Sequence, residues 1–149
     1  MRVREILEVK GKVLYTTSPD KKLSVAIAAM SEHDVGSLAC FEGGRMVGML
    51  TFREIVQTLQ ARGAAWGSVT VGDVMVQNPV IAGPDMEVDE LRLLMVEKHM
   101  RYLPIMEGDM LLGVISFHDV ARAVLEEQGF ENKLLRAYIS DWPQGEVRA

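Results

Sequence analysis

Two stretches of this chain combine residue types and spacings that suit chemistry. Gly113-Val114-Ile115-Ser116-Phe117-His118-Asp119-Val120 sets a hydroxyl, and three residues later an acid, directly after an apolar run; Gly48-Met49-Leu50-Thr51-Phe52-Arg53-Glu54-Ile55 does the same 65 residues earlier. The apolar pair after each glycine suits a strand covered on both faces, and Ser116 or Thr51 then stands where a helix N-cap would. At such a junction the orphan N–H groups and the positive end of the helix dipole point out of the strand end, where a phosphate can sit. The acid can accept two hydrogen bonds from a vicinal diol. The plainer alternative is a capped helix, with Ser116 as N-cap and Asp119 as the capping-box acid, and no ligand at all.

The elements that must position these residues are also repeated. Arg2 to Val9 predicts a short helix ended by Gly11, and Val71-Gly72-Asp73-Val74-Met75 shares its pattern. Val13 to Thr17 predicts a strand stopped by Ser18-Pro19-Asp20, as Pro79 to Ala82 is stopped by Gly83-Pro84-Asp85. A helical period follows each turn: Leu23, Ala26, Ile27 and Met30 share one face, and Val88, Leu91, Leu94 and Met95 another. Then come strands from Ser37 to Phe41 and Tyr102 to Met106, glycine turns at Glu42-Gly43-Gly44 and Glu107-Gly108-Asp109, and returning strands from Met46 to Leu50 and Leu111 to Ile115. The closing helices begin at Phe52 and Phe117. Because the matched positions are turn glycines, prolines and core residues, the reading is an α/β (α+β) chain of two β-α-β-β-α units. Each is too small to bury its sheet alone, so the two pack sheet to sheet about a pseudo-twofold axis. The expected division is 1–65 for the first unit with its N-terminal helix, 66–128 for the second, and 129–149 for a helical extension, interrupted or bent near Gly129, and a frayed tail from Asp141.

The 149 residues, 48% hydrophobic and 25% charged, describe a globular chain with a substantial core. A net charge of −5 and the lack of any basic stripe argue against nucleic acid as a partner. No window approaches the run of about 18 apolar residues a membrane span needs. With no apolar signal core at the start, the expectation is a cytoplasmic protein without a membrane partner. Cys40, the single cysteine, lies in an apolar run and reads as a core thiol.

At these spacings the chain resembles a tandem pair of cystathionine-β-synthase-type (CBS) domains, a stand-alone Bateman module. The resemblance covers about Val3 to Ala123. It rests on Thr17-Ser18-Pro19-Asp20, Met30-Ser31-Glu32-His33-Asp34-Val35-Gly36-Ser37-Leu38, Gly48-Met49-Leu50-Thr51, Met100-Arg101-Tyr102-Leu103-Pro104-Ile105 and the stretch from Gly113 to Val120. It implies two clefts for adenosyl ligands and a disc-like homodimer. In the main cleft, Asp119 would bind the ribose diol and Ser116 a phosphate or ribose oxygen. His118 would face the same ligand, Arg101 would grip phosphate, and Tyr15, Thr17, Ala39 and Val114 would form the adenine slot. In the second cleft Glu54 stands where the family has Asp, so weaker or different binding is expected. There Thr51 and Arg53 supply a hydroxyl and a cation, Val80, Ala82 and Pro104 wall the purine, and Gly36 replaces the arginine.

His33, His99 and His118 lack the short spacing of a metal site, and no nucleophile–base pair appears, so no catalytic cofactor and no enzyme are expected. The expected function is a regulatory sensor of an adenine nucleotide, AMP, ADP, ATP or NAD(H), with S-adenosylmethionine ranked behind them, that signals to an unidentified protein partner. The rival is a dimerisation and docking module that needs no ligand.

Overall fold

The computed structural model describes residues 1–11 and 13–138, with side-chain surroundings through Gly129; the tail from Asp141 lies outside the described residues. Each element follows from its local pattern. Helix α1 (Val3–Lys10) buries Val3 and Ile6 and ends at Gly11, whose φ of 88° favours glycine. Helix α2 (Leu23–His33) buries Leu23, Ala26 and Met30 and closes on Asp34 in the left-handed conformation. Strands β2 (Ser37–Glu42) and β3 (Arg45–Thr51) form a hairpin through Gly43 and Gly44, and α3 (Phe52–Arg62) follows at once. After a 3-10 turn (Gly63–Ser68) come α4 (Val71–Val74), β4 (Val76–Gln77), α5 (Val88–Glu97), the hairpin β5 (Tyr102–Glu107) and β6 (Met110–Ser116), and α6 (Phe117–Tyr138).

The duplication extends to the irregularities. Both hairpins carry a register shift at the equivalent place, between Cys40 and Phe41 and between Ile105 and Met106. Asp34 and His99 both have positive φ, and the Phe52 and Phe117 amides donate to the carbonyls of Gly36 and Arg101. The strands before α2 and α5 are shorter than predicted. Only Thr16–Thr17 forms a strand (β1), parallel to β2, and the second copy keeps just a parallel bridge from Ala82 to Ile105. Pro79 has no N–H to give a ladder, and Val80 and Ile81 are exposed. Helix α6 runs unbroken through Gly129, against the predicted interruption; one glycine costs a helix only about 1 kcal/mol relative to alanine.

The first sheet has the order β1-β2-β3-β4, and the second pairs β5 with β6. Between them lies a shared core of Ala39, Met49 and Val114, joined by Phe41, Met46, Tyr102 and Leu111. Packing also crosses between the copies. Val3 and Ile6 of α1 lie in the core around Leu91, Leu103, Ile105 and Ile115, while Val71 of α4 joins the first unit's core around Leu23, Leu38 and Leu50. Each such buried aliphatic contributes about 1.5–3 kcal/mol. The backbone seals the exchange, with the Val3 and Arg4 amides donating to the Met86 and Pro84 carbonyls. Thus α1, grouped by sequence with the first unit, packs on the second. No helix among the described residues is long and apolar enough to cross a membrane.

Candidate functional site

Two hollows open at the seam, one at the start of α3 and one at the start of α6. The first, about 730 Å³, is lined by Thr51, Arg53 and Glu54 from the first copy and by the corner from Lys98 to Tyr102 of the second. The second, about 510 Å³, joins Val114, Ser116 and His118 to the matching corner from Asp34 to Ser37, with Tyr15 and Ala39 along its wall. Each motif therefore faces the helix–strand corner of the other copy, as a twofold relation between the units requires.

In the first hollow Thr51 caps α3. Its hydroxyl accepts from the Arg53 amide at 3.3 Å, while Glu54 Oε1 accepts from the Thr51 amide at 2.7 Å and hydroxyl at 2.8 Å. The sequence leads one to expect that the extra methylene of Glu54, relative to Asp, carries its carboxylate toward or past a bound ribose. Instead the side chain curls back onto its own cap and is only 6% exposed. The other charged side chains of the lining are Arg53, Lys98 and Arg101, all exposed and none in an ion pair among the described residues. Met49, Phe52, Val56, Val76, Val80 and Met100 provide apolar wall. A cationic rim beside an apolar slot suits a ligand with a flat base and an anionic group.

At the second hollow the lining residue Ser116 forms a capping box with Asp119: the Asp119 amide donates to Ser116 Oγ at 3.0 Å and the Ser116 amide to Asp119 Oδ2 at 2.9 Å. Lys10, from the end of α1, adds its ammonium at 2.7 Å from both Asp119 Oδ2 and the Val114 carbonyl oxygen. Burial pushes the Asp119 carboxyl up, but the Lys10 and Ser116 hydrogen bonds and the Lys10 charge outweigh it, and its pKa lies below the usual carboxylate value. Tyr15 is covered on one ring face by His33, stacked at 4.2 Å.

Tyr102 borders both hollows. Burial raises its pKa, opposed by the nearby Arg101 charge and reinforced by Asp119. Cys40 is fully buried; desolvation, aided by the Glu54 charge, pushes its thiol up to about 12, which suits an inert core residue.

Residues expected in one cleft are thus regrouped. Arg101 lines the first hollow with Thr51, Arg53, Glu54 and Val80, not the second with Ser116, and Asp119, expected in the main cleft, is in the lining of neither. Gly36 lines the second with Tyr15, Ala39, Val114, Ser116 and His118. The sequence places Arg101 and Gly36 beside their own copy's motif, and their carbonyls do bond to the helix starts there, but the corners themselves reach across the seam. Ala82 and Pro104 are buried, Ala82 within the second unit's core, and line neither of these two hollows; Thr17 lies on β1, likewise outside both linings. Lys10 escaped the sequence reading. Its one local signal, a basic residue in the last turn of a helix, points to the helix dipole and not to an acid 109 residues away.

The family model for the CBS domain matches residues 3–61 and 71–126. A CBS domain-containing protein of Bacillus subtilis, YhcV, is 33% identical over 106 residues, covering 71% of this chain and 75% of that protein. The crystal structure of a CBS-domain protein from Agrobacterium tumefaciens superposes with a TM-score of 0.80 at 28% identity, covering 83% of this chain and 98% of that one. A CBS domain pair solved with 5′-methylthioadenosine and S-adenosyl-L-methionine shares the fold, with a TM-score of 0.74 at 20% identity over 85% of this chain and 98% of that one. With two matched copies, a shared inter-sheet core and a motif at each seam hollow, the chain belongs to the CBS domain family, as a tandem pair.

Proposed function

We propose that this CBS pair is a regulatory module that binds an adenine nucleotide, AMP, ADP, ATP or NAD(H), between its units. The observation that carries the reading is the first hollow, where Arg53, Lys98 and Arg101 have no acidic partner among the described residues and stand beside an apolar wall, in a chain whose net charge is −5. The base lies against Met49, Val76 and Val80, and the phosphates face the two guanidinium groups. The second hollow, lined by Ser116 and His118 with Asp119 in the Ser116 capping box, takes a nucleotide less readily because Lys10 already holds Asp119. That the fold accommodates adenosyl ligands is supported by the fold neighbour holding two of them. Since residues of both units line each hollow, an occupant favours one relative orientation of the units and shifts the population toward it. The role assigned is regulation of an unidentified protein partner and not catalysis.

A second reading, docking without any ligand, has one observation in its favour. Phe52, Val56 and Leu59 leave an exposed apolar stripe along α3 at 51%, 63% and 44% exposure. Homodimerisation through such a face is compatible with either reading. A thermal-shift panel of AMP, ADP, ATP, NADH and S-adenosylmethionine separates them. A ligand specific for the folded state raises Tm by mass action, whereas a flat response to every compound would leave only docking.

A further inference from the structure

Lys10 is held where a ligand of the second hollow would bind. The body of α1 is fixed by Val3 and Ile6 in the core and by Leu7 beside Gly113, so the position of Lys10 at its end is set by the fold. Its ammonium donates to the Val114 carbonyl and to Asp119 Oδ2, both at 2.7 Å, and the same Oδ2 accepts the Ser116 amide at 2.9 Å. A carboxylate oxygen offers about two acceptor sites, so Oδ2 is filled. A vicinal diol that engages both carboxylate oxygens must displace one of these donors. The Ser116 amide is fixed backbone at the start of α6, whereas the Lys10 ammonium rides on a flexible stem and is the donor that gives way.

In the first hollow no cation among the described residues pairs with the equivalent acid, Glu54, which is held by Thr51. Counted from the first residue of each leading helix, Val3 and Val71, Lys10 corresponds to Asn78, which lines the first hollow and carries no charge. The asymmetry is therefore written into the sequence.

Building on the nucleotide reading, which gives the ribose diol to Asp119, we propose that Lys10 is a selectivity residue, an internal competitor that lines the second hollow, occupies the Asp119 carboxylate of the adjoining cap and makes the two hollows fill unequally. A ligand enters there only by displacing an ammonium that already has two charge-assisted or backbone partners, which lowers apparent affinity by about tenfold. The ligand class it disfavours is the nucleoside with a free 2′,3′-diol, whether or not a phosphate follows.

The test is titration of the full chain with adenosine and with AMP, followed by calorimetry and by NMR shifts of the Ser116 and His118 amides. Lys10→Met is expected to tighten both ligands at the second hollow by about tenfold, Lys10→Arg to leave it weak, and Lys10→Met with Asp119→Asn to lose the gain. Weaker AMP binding in Lys10→Met would show that Lys10 grips the ligand, and unchanged binding that it plays no part; either result overturns the proposal. If those amides stay still while Thr51 and Arg53 amides shift, only the Lys10 assignment falls. If no amide shifts in the parent or in Lys10→Met, the nucleotide reading falls with it.

Discussion

The Tyr102 hydroxyl lies where a side chain at Gly36 would begin: a Cβ built on Gly36 overlaps the phenol oxygen and comes within 3.0 Å of Phe52 Cε2. Gly36 is the counterpart of Arg101, so the pseudo-twofold has a glycine on one side and a guanidinium on the other. The space vacated by the missing side chain is filled by the tyrosine that separates the hollows. Substituting Gly36→Ala is expected to cost about 1–3 kcal/mol through overpacking, lowering Tm by roughly 2–4 °C for each kcal/mol at this length. Adding Tyr102→Phe, which removes the clashing oxygen, should recover part of the loss in the same thermal melts.

Thr51 serves both the fold and the first hollow. Removing its hydroxyl leaves the Arg53 amide and Glu54 Oε1 each short of a partner, and Glu54 is buried. Thr51→Ala should therefore destabilise by about 0.5–2 kcal/mol, read from urea unfolding.

The Lys10–Asp119 contact has a definite pH signature. The Asp119 carboxyl in the folded chain titrates below its ordinary value of 3.8. A depressed acid contributes stability that is fully present above the unfolded pKa and is lost as pH falls through the lower folded value. The stability difference between the parent chain and Lys10→Met should be constant near neutral pH and shrink as pH drops below about 4. Urea unfolding at a series of pH values checks this; a difference that persisted to strongly acid pH would contradict the ion pair.

Much of the fold was legible because its signals are local and stated twice. Gly43 and Gly108 mark the hairpins, the spacing of Leu23, Ala26 and Met30 gives α2 its face, and Thr51 and Ser116 sit at the helix starts they predict. The site was legible only to the level of its motifs. Which corner meets which motif depends on how the units dock, and nothing around Arg101 or Gly36 in the sequence encodes that. Glu54 was misjudged because chain length suggested reach, while the nearest donors were those of its own cap. The contact of Lys10 with Asp119 joins residues 109 apart in sequence and exists only because α1 packs on the second copy and not on the first, which it directly precedes.

Charge in the first hollow should also be visible in salt dependence. Arg53, Lys98 and Arg101 are exposed, so their pull on phosphates is screened by added salt. ATP affinity should fall from low to physiological ionic strength more steeply than adenosine affinity, as followed by calorimetry.

The most direct measurement is calorimetric titration of ATP into the parent chain and into Arg53→Ala with Arg101→Ala. If the seam hollow at α3 holds the phosphates, the parent binds and the double variant binds about 100-fold or more weakly while keeping its Tm, as expected for two lost charge-assisted contacts. Equal affinity in both proteins, or no heat in either, would contradict the account.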